Sequence, residues 1–242
     1  MGRVALVSGA SRGLGAAMAE RLAADGMRVA VNYVAGTEAE ARAVAERIGG
    51  TAVEADVTDE TAVTRLVREV ELSLGPVEVL VCNATGPQPG IPFEELSWAD
   101  LLDQLAFFAR SPLLLSQAVL PGMKAAGWGR IVHIGSDITD RVPPDMAAYV
   151  AAKAAQLGLA GAMAQHVARW GITVNTVAPG WIPVERHAGA TPAELAAYAV
   201  HLPGGRLGTP AEVAAAVSFL ASDAASFVNG ERIRVDGGHG RV

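Results

Sequence analysis

The chain has 242 residues, 51% of them hydrophobic, and a net charge of −6. That length suits one large α/β domain with a substantial core. Its apolar runs break before the ~18 residues a membrane helix needs, no long basic tract offers a nucleic-acid face, and Met1-Gly2-Arg3-Val4 enters a strand with no signal-peptide run. A cytoplasmic protein with no membrane or nucleic-acid partner is therefore expected. The lone Cys82 agrees with a reducing compartment and reads as a small buried strand residue.

Short β-branched runs alternate along the chain with longer alanine-rich helical ones. The first strand candidate, Arg3 to Ser8, leads into Ser8-Gly9-Ala10-Ser11-Arg12-Gly13-Leu14-Gly15 and a helix from Leu14 to Ala24. Strand, glycine turn and helix N-terminus make a phosphate site, because glycines admit a pyrophosphate close to the backbone and the helix dipole favours anions. Gly9, Ser11, Arg12, Gly13, Leu14 and Gly15 are the candidate contacts. The second strand, Arg28 to Tyr33, ends Val31-Asn32-Tyr33-Val34 without the acid that would hold a ribose 2′-hydroxyl. A helix follows from Thr37 to Ile48. The third strand, Thr51 to Asp56, precedes Val57 and a helix from Asp59 to Leu74; Asp56 suits an adenine contact or the N-cap region of that helix.

Val77 to Cys82 is the fourth strand, with Asn83 and Ala84 at its end, and one long helix is expected from Trp98 to Ala126. The fifth strand, Arg130 to Gly135, delivers Ser136. His133 within it reads as a satisfied core histidine, since no cysteine or histidine cluster has zinc spacing, and no metal is expected. A helix from Ala147 to Trp170 carries Tyr149 and Lys153 at i and i+4, which stack on one face. Such a pair alone is common. Beside Ser136, however, a nearby ammonium can bring a phenol into a usable range for proton transfer while the serine hydroxyl orients a substrate oxygen. The sixth strand, Ile172 to Val177, opens into Ala178 to Thr209, a Pro- and Gly-rich excursion with a helical patch near Ala193 to Val200. It reads as a substrate lid within the single domain. A helix from Pro210 to Ala221 and a strand from Arg232 to Val235 complete the pattern. This rhythm predicts an α/β fold, a Rossmann-type doubly wound sheet of about seven parallel strands with helices on both faces, its ligand crevice at the C-terminal strand ends.

These motifs together resemble the short-chain dehydrogenase/reductase family over essentially the whole chain, and within it the 3-oxoacyl-thioester (acyl-carrier-protein) reductase-like branch. Ser8 stands for the threonine of the family's glycine turn, Asp56-Val57 for its adenine-side Asp-Val, and Cys82-Asn83-Ala84-Thr85 for its Asn-Asn-Ala-Gly. The resemblance places the catalytic serine, tyrosine and lysine on Ser136, Tyr149 and Lys153, and the Pro-Gly after the sixth strand on Pro179-Gly180, with Ile182 beyond it. It implies hydride transfer between a nicotinamide and a carbonyl carbon, Tyr149 supplying the proton and Lys153 also binding the nicotinamide ribose. With no acid at Asn32-Tyr33 and Arg12 in the turn, NADP(H) is favoured over NAD(H). A 3-oxoacyl thioester is the leading substrate; a sugar, polyol, steroid or polyketide alcohol is the alternative. A homo-oligomer, tetramer or dimer, is implied.

One position departs from the family. Related enzymes carry an asparagine in the fourth helix that connects the lysine to solvent through water, and registering from Pro112 to Ser116 puts Phe108 there. A backbone carbonyl or Gln104 is then expected to maintain the relay; otherwise the chain is a nucleotide-binding regulator or scaffold with weakened catalysis. Trp181, Ile182, Pro183 and Val184 offer an apolar wall to a substrate. Arg141, Arg186, His187 and Arg206 are candidate contacts for an acidic carrier domain, with solvation as the plainer alternative.

Overall fold

The computed structural model describes residues 2–185 and 189–239. Its strands are β1 (Val4–Val7), β2 (Arg28–Tyr33), β3 (Thr51–Glu54), β4 (Val77–Cys82), β5 (Gly129–Ile134), β6 (Ile172–Pro179) and β7 (Arg232–Val235). All pair in parallel in the order β3-β2-β1-β4-β5-β6-β7. The helices are α1 (Gly13–Ala24), α2 (Glu38–Ile48), α3 (Glu60–Leu74), α4 (Trp98–Leu105), α5 (Ser111–Ala126), α6 (Ile138–Arg141), α7 (Ala147–Val167), α8 (Pro192–Val200) and α9 (Pro210–Ala221).

Parallel strands need crossover helices, which bury both sheet faces and explain why β1 and β6 read as unbroken apolar or neutral runs. Side chains alternate: Ala5 and Val7 point to a layer built with α1, α2 and α9, while Val4 and Leu6 point to one built with α3, α5 and α7. Leu6, Met18, Leu22, Leu66, Leu80 and Leu115 are fully buried there, each contributing about 2 kcal/mol of apolar transfer. β1 and β4 lie side by side although β2 and β3 come between them in the chain, so the connections after them diverge to opposite halves of the sheet. That divergence opens a crevice at their C-terminal ends.

The expected rhythm is present, with two differences near the crevice. The long fourth helix is not continuous: Ala106–Arg110 form a π-helical turn between α4 and α5. α4 starts cleanly because Ser97 and Asp100 make a reciprocal capping box. The second difference is α6, a short helix directly after Ser136, closed by Val142 in the left-handed region at φ 45°. Among the described residues, no helix is long and apolar enough to cross a membrane.

Candidate active site

The glycine turn is held by side-chain amides from two neighbouring strands. Asn32, at the end of β2, accepts from the Gly9 N–H at 3.2 Å and donates to the Ala55 carbonyl at 3.0 Å. Asn83, just past β4, donates to the carbonyls of Ser8 and Gly9 at 2.9 and 3.0 Å. The buried Ser8 hydroxyl donates to the Val81 carbonyl and accepts from the N–H groups of Asn83 and Ala84. Gly9 is required on two counts: its φ is +61°, and a Cβ there would stand 2.8 Å from Ala84 Cα. At Gly15 a Cβ would meet the Gly9 carbonyl oxygen at 2.3 Å. α1 therefore begins hard against β1 and β4, with Arg12 at its N-cap and no side-chain cap on its first N–H groups. Those donors face the crevice that a phosphate would enter.

Asp56 is exposed and accepts from the Thr58 N–H and hydroxyl at 2.9 and 2.7 Å. The N-cap of α3 is instead Asp59, which accepts from the Ala62 N–H at 2.6 Å. The N-cap alternative for Asp56 is thereby corrected: its carboxylate closes a turn that ends at the cap, and it remains on the crevice wall.

At the other end of the crevice β5 delivers Ser136, whose Oγ accepts from the Ile138 N–H at 3.1 Å and whose carbonyl accepts from Arg232 at 2.7 Å. Tyr149 and Lys153 reach the same space from the first turns of α7. Lys153 is 5% exposed; its ammonium donates to the Ile134 carbonyl at 2.7 Å and to Gln156 Oε1 at 3.1 Å. It stands 4.1 Å from the centroid of the Phe108 ring and 5.9 Å from that of Tyr149, and the two rings meet edge to face. Burial pushes the neighbouring Cys82 thiol up to about 12 and the His133 imidazole down to about 4, the Lys153 charge adding to the latter. Both are neutral at pH 7.

One cavity of about 430 Å³ joins these ends. The residues named in advance as catalytic or cofactor contacts line it: the turn residues Gly9, Ser11, Arg12, Gly13, Leu14 and Gly15; Asn32 and Tyr33; Asp56 and Val57; Asn83 and Ala84; Ser136, Tyr149 and Lys153; and Pro179, Gly180 and Ile182. Not anticipated were Gly86, Pro87, Gln88 and Phe107, which complete the wall beside Tyr149. Phe107 lies so close to Gly86 that a Cβ there would stand 2.3 Å from its ring. No sequence signal marks Phe107, because a period of 3.6 runs through the π turn unchanged. Gln156 did carry one, its i+3 spacing from Lys153.

Four expectations are corrected. Gln104 is buried, but its amide donates to the Pro87 carbonyl at 2.8 Å and anchors the wall; Gln156 is the amide that meets Lys153. Arg141 makes two hydrogen bonds to the buried carboxylate of Asp137, and Arg206 is bound to Glu212, so each cation already has a carboxylate. Arg186 and His187 lie outside the described residues. His133 is buried, yet among the described residues neither ring nitrogen has a hydrogen-bond partner, contrary to a satisfied core histidine. In the apolar stretch, Ile182 packs into the core, and Trp181 stacks edge-on against Tyr198 of α8 while remaining on the cavity wall. No cluster of metal-ligating side chains occurs among the described residues.

A glycine turn at the switch point of a doubly wound parallel sheet defines a dinucleotide-binding α/β protein. Comparison with known proteins narrows the class. A family profile described as enoyl-(acyl carrier protein) reductase matches residues 9–239. The chain is 38% identical over 241 residues to the 3-oxoacyl-(acyl-carrier-protein) reductase FabG of Vibrio cholerae, covering 98% of this chain and 97% of that one. It is 39% identical over 240 residues to an acetoacetyl-CoA reductase of Rhizobium meliloti, covering 98% of each. The solved structure of a gluconate 5-dehydrogenase from Burkholderia cenocepacia, in complex with NADP and tartrate, has a TM-score of 0.90 at 33% identity, covering 100% of this chain and 96% of that one. The chain belongs to the short-chain dehydrogenase/reductase family of oxidoreductases.

Proposed function

We propose that this protein is an NADP(H)-dependent reductase of 3-oxoacyl thioesters, interconverting the ketone with its secondary alcohol. The observation that carries the reading is the single cavity running from the glycine turn to Ser136, Tyr149 and Lys153. Its near end fits a dinucleotide: glycines at 9, 13 and 15 keep side chains out of the turn, the first N–H groups of α1 carry no side-chain cap, and no acid closes β2. Arg12 would hold a 2′-phosphate and Lys153 the nicotinamide ribose. When bound, NADPH supplies hydride to the carbonyl carbon. Ser136 accepts from Ile138 and so directs its own proton at the substrate oxygen. Tyr149 Oη donates the proton that completes the alcohol, and the Lys153 charge stabilises the phenolate left behind. Residues 178–209 serve as the lid of this one domain, α8 being pinned by Tyr198, which accepts from the Trp181 N–H and pairs with His239 at 3.1 Å. The protein works in the cytoplasm as a homo-oligomer.

A sugar-acid dehydrogenase is the second reading, favoured by the gluconate 5-dehydrogenase structure. The wall near Tyr149 opposes it. Phe107, Phe108, Trp181 and Pro87 are apolar and offer a substrate carboxylate no cation there, while Val184 and Glu185 of the lid lie against Gly13 of the glycine turn. In a panel with NADPH as reductant, acetoacetyl-CoA is expected to give kcat/KM at least 100-fold above 5-ketogluconate; the reverse order would sink the thioester reading. Arg12→Ala should raise the KM for NADPH about 30-fold, the worth of one charge-assisted hydrogen-bonded pair, and change that for NADH less than threefold. Equal losses for both cofactors would remove Arg12 from the 2′-phosphate.

A further inference from the structure

The surroundings of Lys153 are unusual in kind. Its buried ammonium meets three neutral groups among the described residues: the Ile134 carbonyl, the Gln156 amide oxygen and the face of Phe108. Gln156, less than one turn further along α7, is 2% exposed, so its oxygen meets the charge out of water, where a charge-assisted hydrogen bond is strong. Phe108 is equally buried and touches both Lys153 and Tyr149. Among the described residues, the titratable groups that face the ammonium from the packed elements include Cys82 on β4 and His133 on β5, both neutral, and Tyr149 on α7 itself. A carboxylate partner would fix the ammonium equally well but cancel most of its field at Tyr149. An amide oxygen and a ring face hold the cation and leave that field in place.

We infer that Gln156 and Phe108 form a neutral cradle that fixes the Lys153 ammonium beside Tyr149, which makes Gln156 a positioning residue for the proton transfer. The inference rests on Tyr149 being the proton donor. Two near-isosteric variants of the full chain test it. Gln156→Met removes the acceptor oxygen, and kcat for ketone reduction should fall about tenfold with KM within twofold. Gln156→Glu sets a carboxylate against the ammonium and disfavours the phenolate, so a higher pH is needed to form it. The midpoint of the pH profile for alcohol oxidation, which uses the phenolate as base, should then rise by about one unit. NADPH fluorescence titration and circular dichroism establish that each variant is folded; if Gln156→Met fails this check, the Gln156→Glu midpoint decides. Folded variants with parental kcat and an unshifted midpoint overturn the inference. Tyr149→Phe runs in the same series. Were it to retain turnover, the proton-donor reading itself would fall, whereas its inactivity alongside unaffected Gln156 variants would remove only the cradle.

Discussion

Tyr149→Phe is expected to lower kcat for ketone reduction roughly a thousandfold while the Kd for NADPH, read by fluorescence titration, stays within about threefold of the parent. The magnitude follows from what a positioned proton donor contributes, about 10²- to 10⁴-fold. Binding survives because the ring remains: the substitution deletes one oxygen and leaves the edge-to-face contact with Phe108 and the neighbouring Lys153 ammonium in place. The glycine turn at the far end of the cavity is untouched. A variant that kept more than a tenth of parental turnover would show that the proton arrives from another group.

The second large effect belongs to Gly15→Ala. The added methyl would sit 2.3 Å from the Gly9 carbonyl oxygen and 2.7 Å from Asn83 Nδ2. Neither can yield cheaply, since Asn83 already spends both N–H groups on Ser8 and Gly9, and Gly9 is tied to Asn32. α1 must therefore back away from β1 and β4. The expected cost is about 2 kcal/mol in denaturant unfolding, in the range of overpacked cores, together with a loss of NADPH affinity of more than 100-fold as the phosphate-facing N–H groups move apart. Parental affinity in this variant would mean that the turn is not the phosphate cradle.

The parts of this molecule legible from its amino acids are those where chemistry restricts residue type. Glycine is demanded by a positive φ and a close approach at Gly9, and a parallel sheet demands β-branched runs, so strand rhythm and turn could be read directly. β2, β4 and β7 begin and end where the pattern places them. What escaped reading depends on which of several partners a side chain takes. Asn32 and Asn83 do line the cavity, but their amides are spent on the turn; an amide can serve a ligand or a backbone carbonyl, and only burial decides. For Lys153 the same ambiguity pointed to Gln104, near the missing asparagine in the chain, when Gln156 was the partner in space. Arg141 was open to carrier docking or, more plainly, to solvation, and neither reading could see that the fold sinks Asp137 beneath it.

The π turn at Ala106–Arg110 has a consequence for helix phase. Each residue in an α-helix advances the side-chain direction by about 100°, so the extra residue accommodated in a π turn rotates everything before it by that amount relative to everything after it. α4 can thereby face α7 while α5, its direct continuation, faces β4 and α3. An uninterrupted helix of the same sequence would satisfy only one of these contacts. The aromatic beneath Lys153 is thus delivered by angle as much as by identity. Removing a single residue from this turn would restore α-helical phase and swing Phe108 out of the site with no change to Phe108 itself.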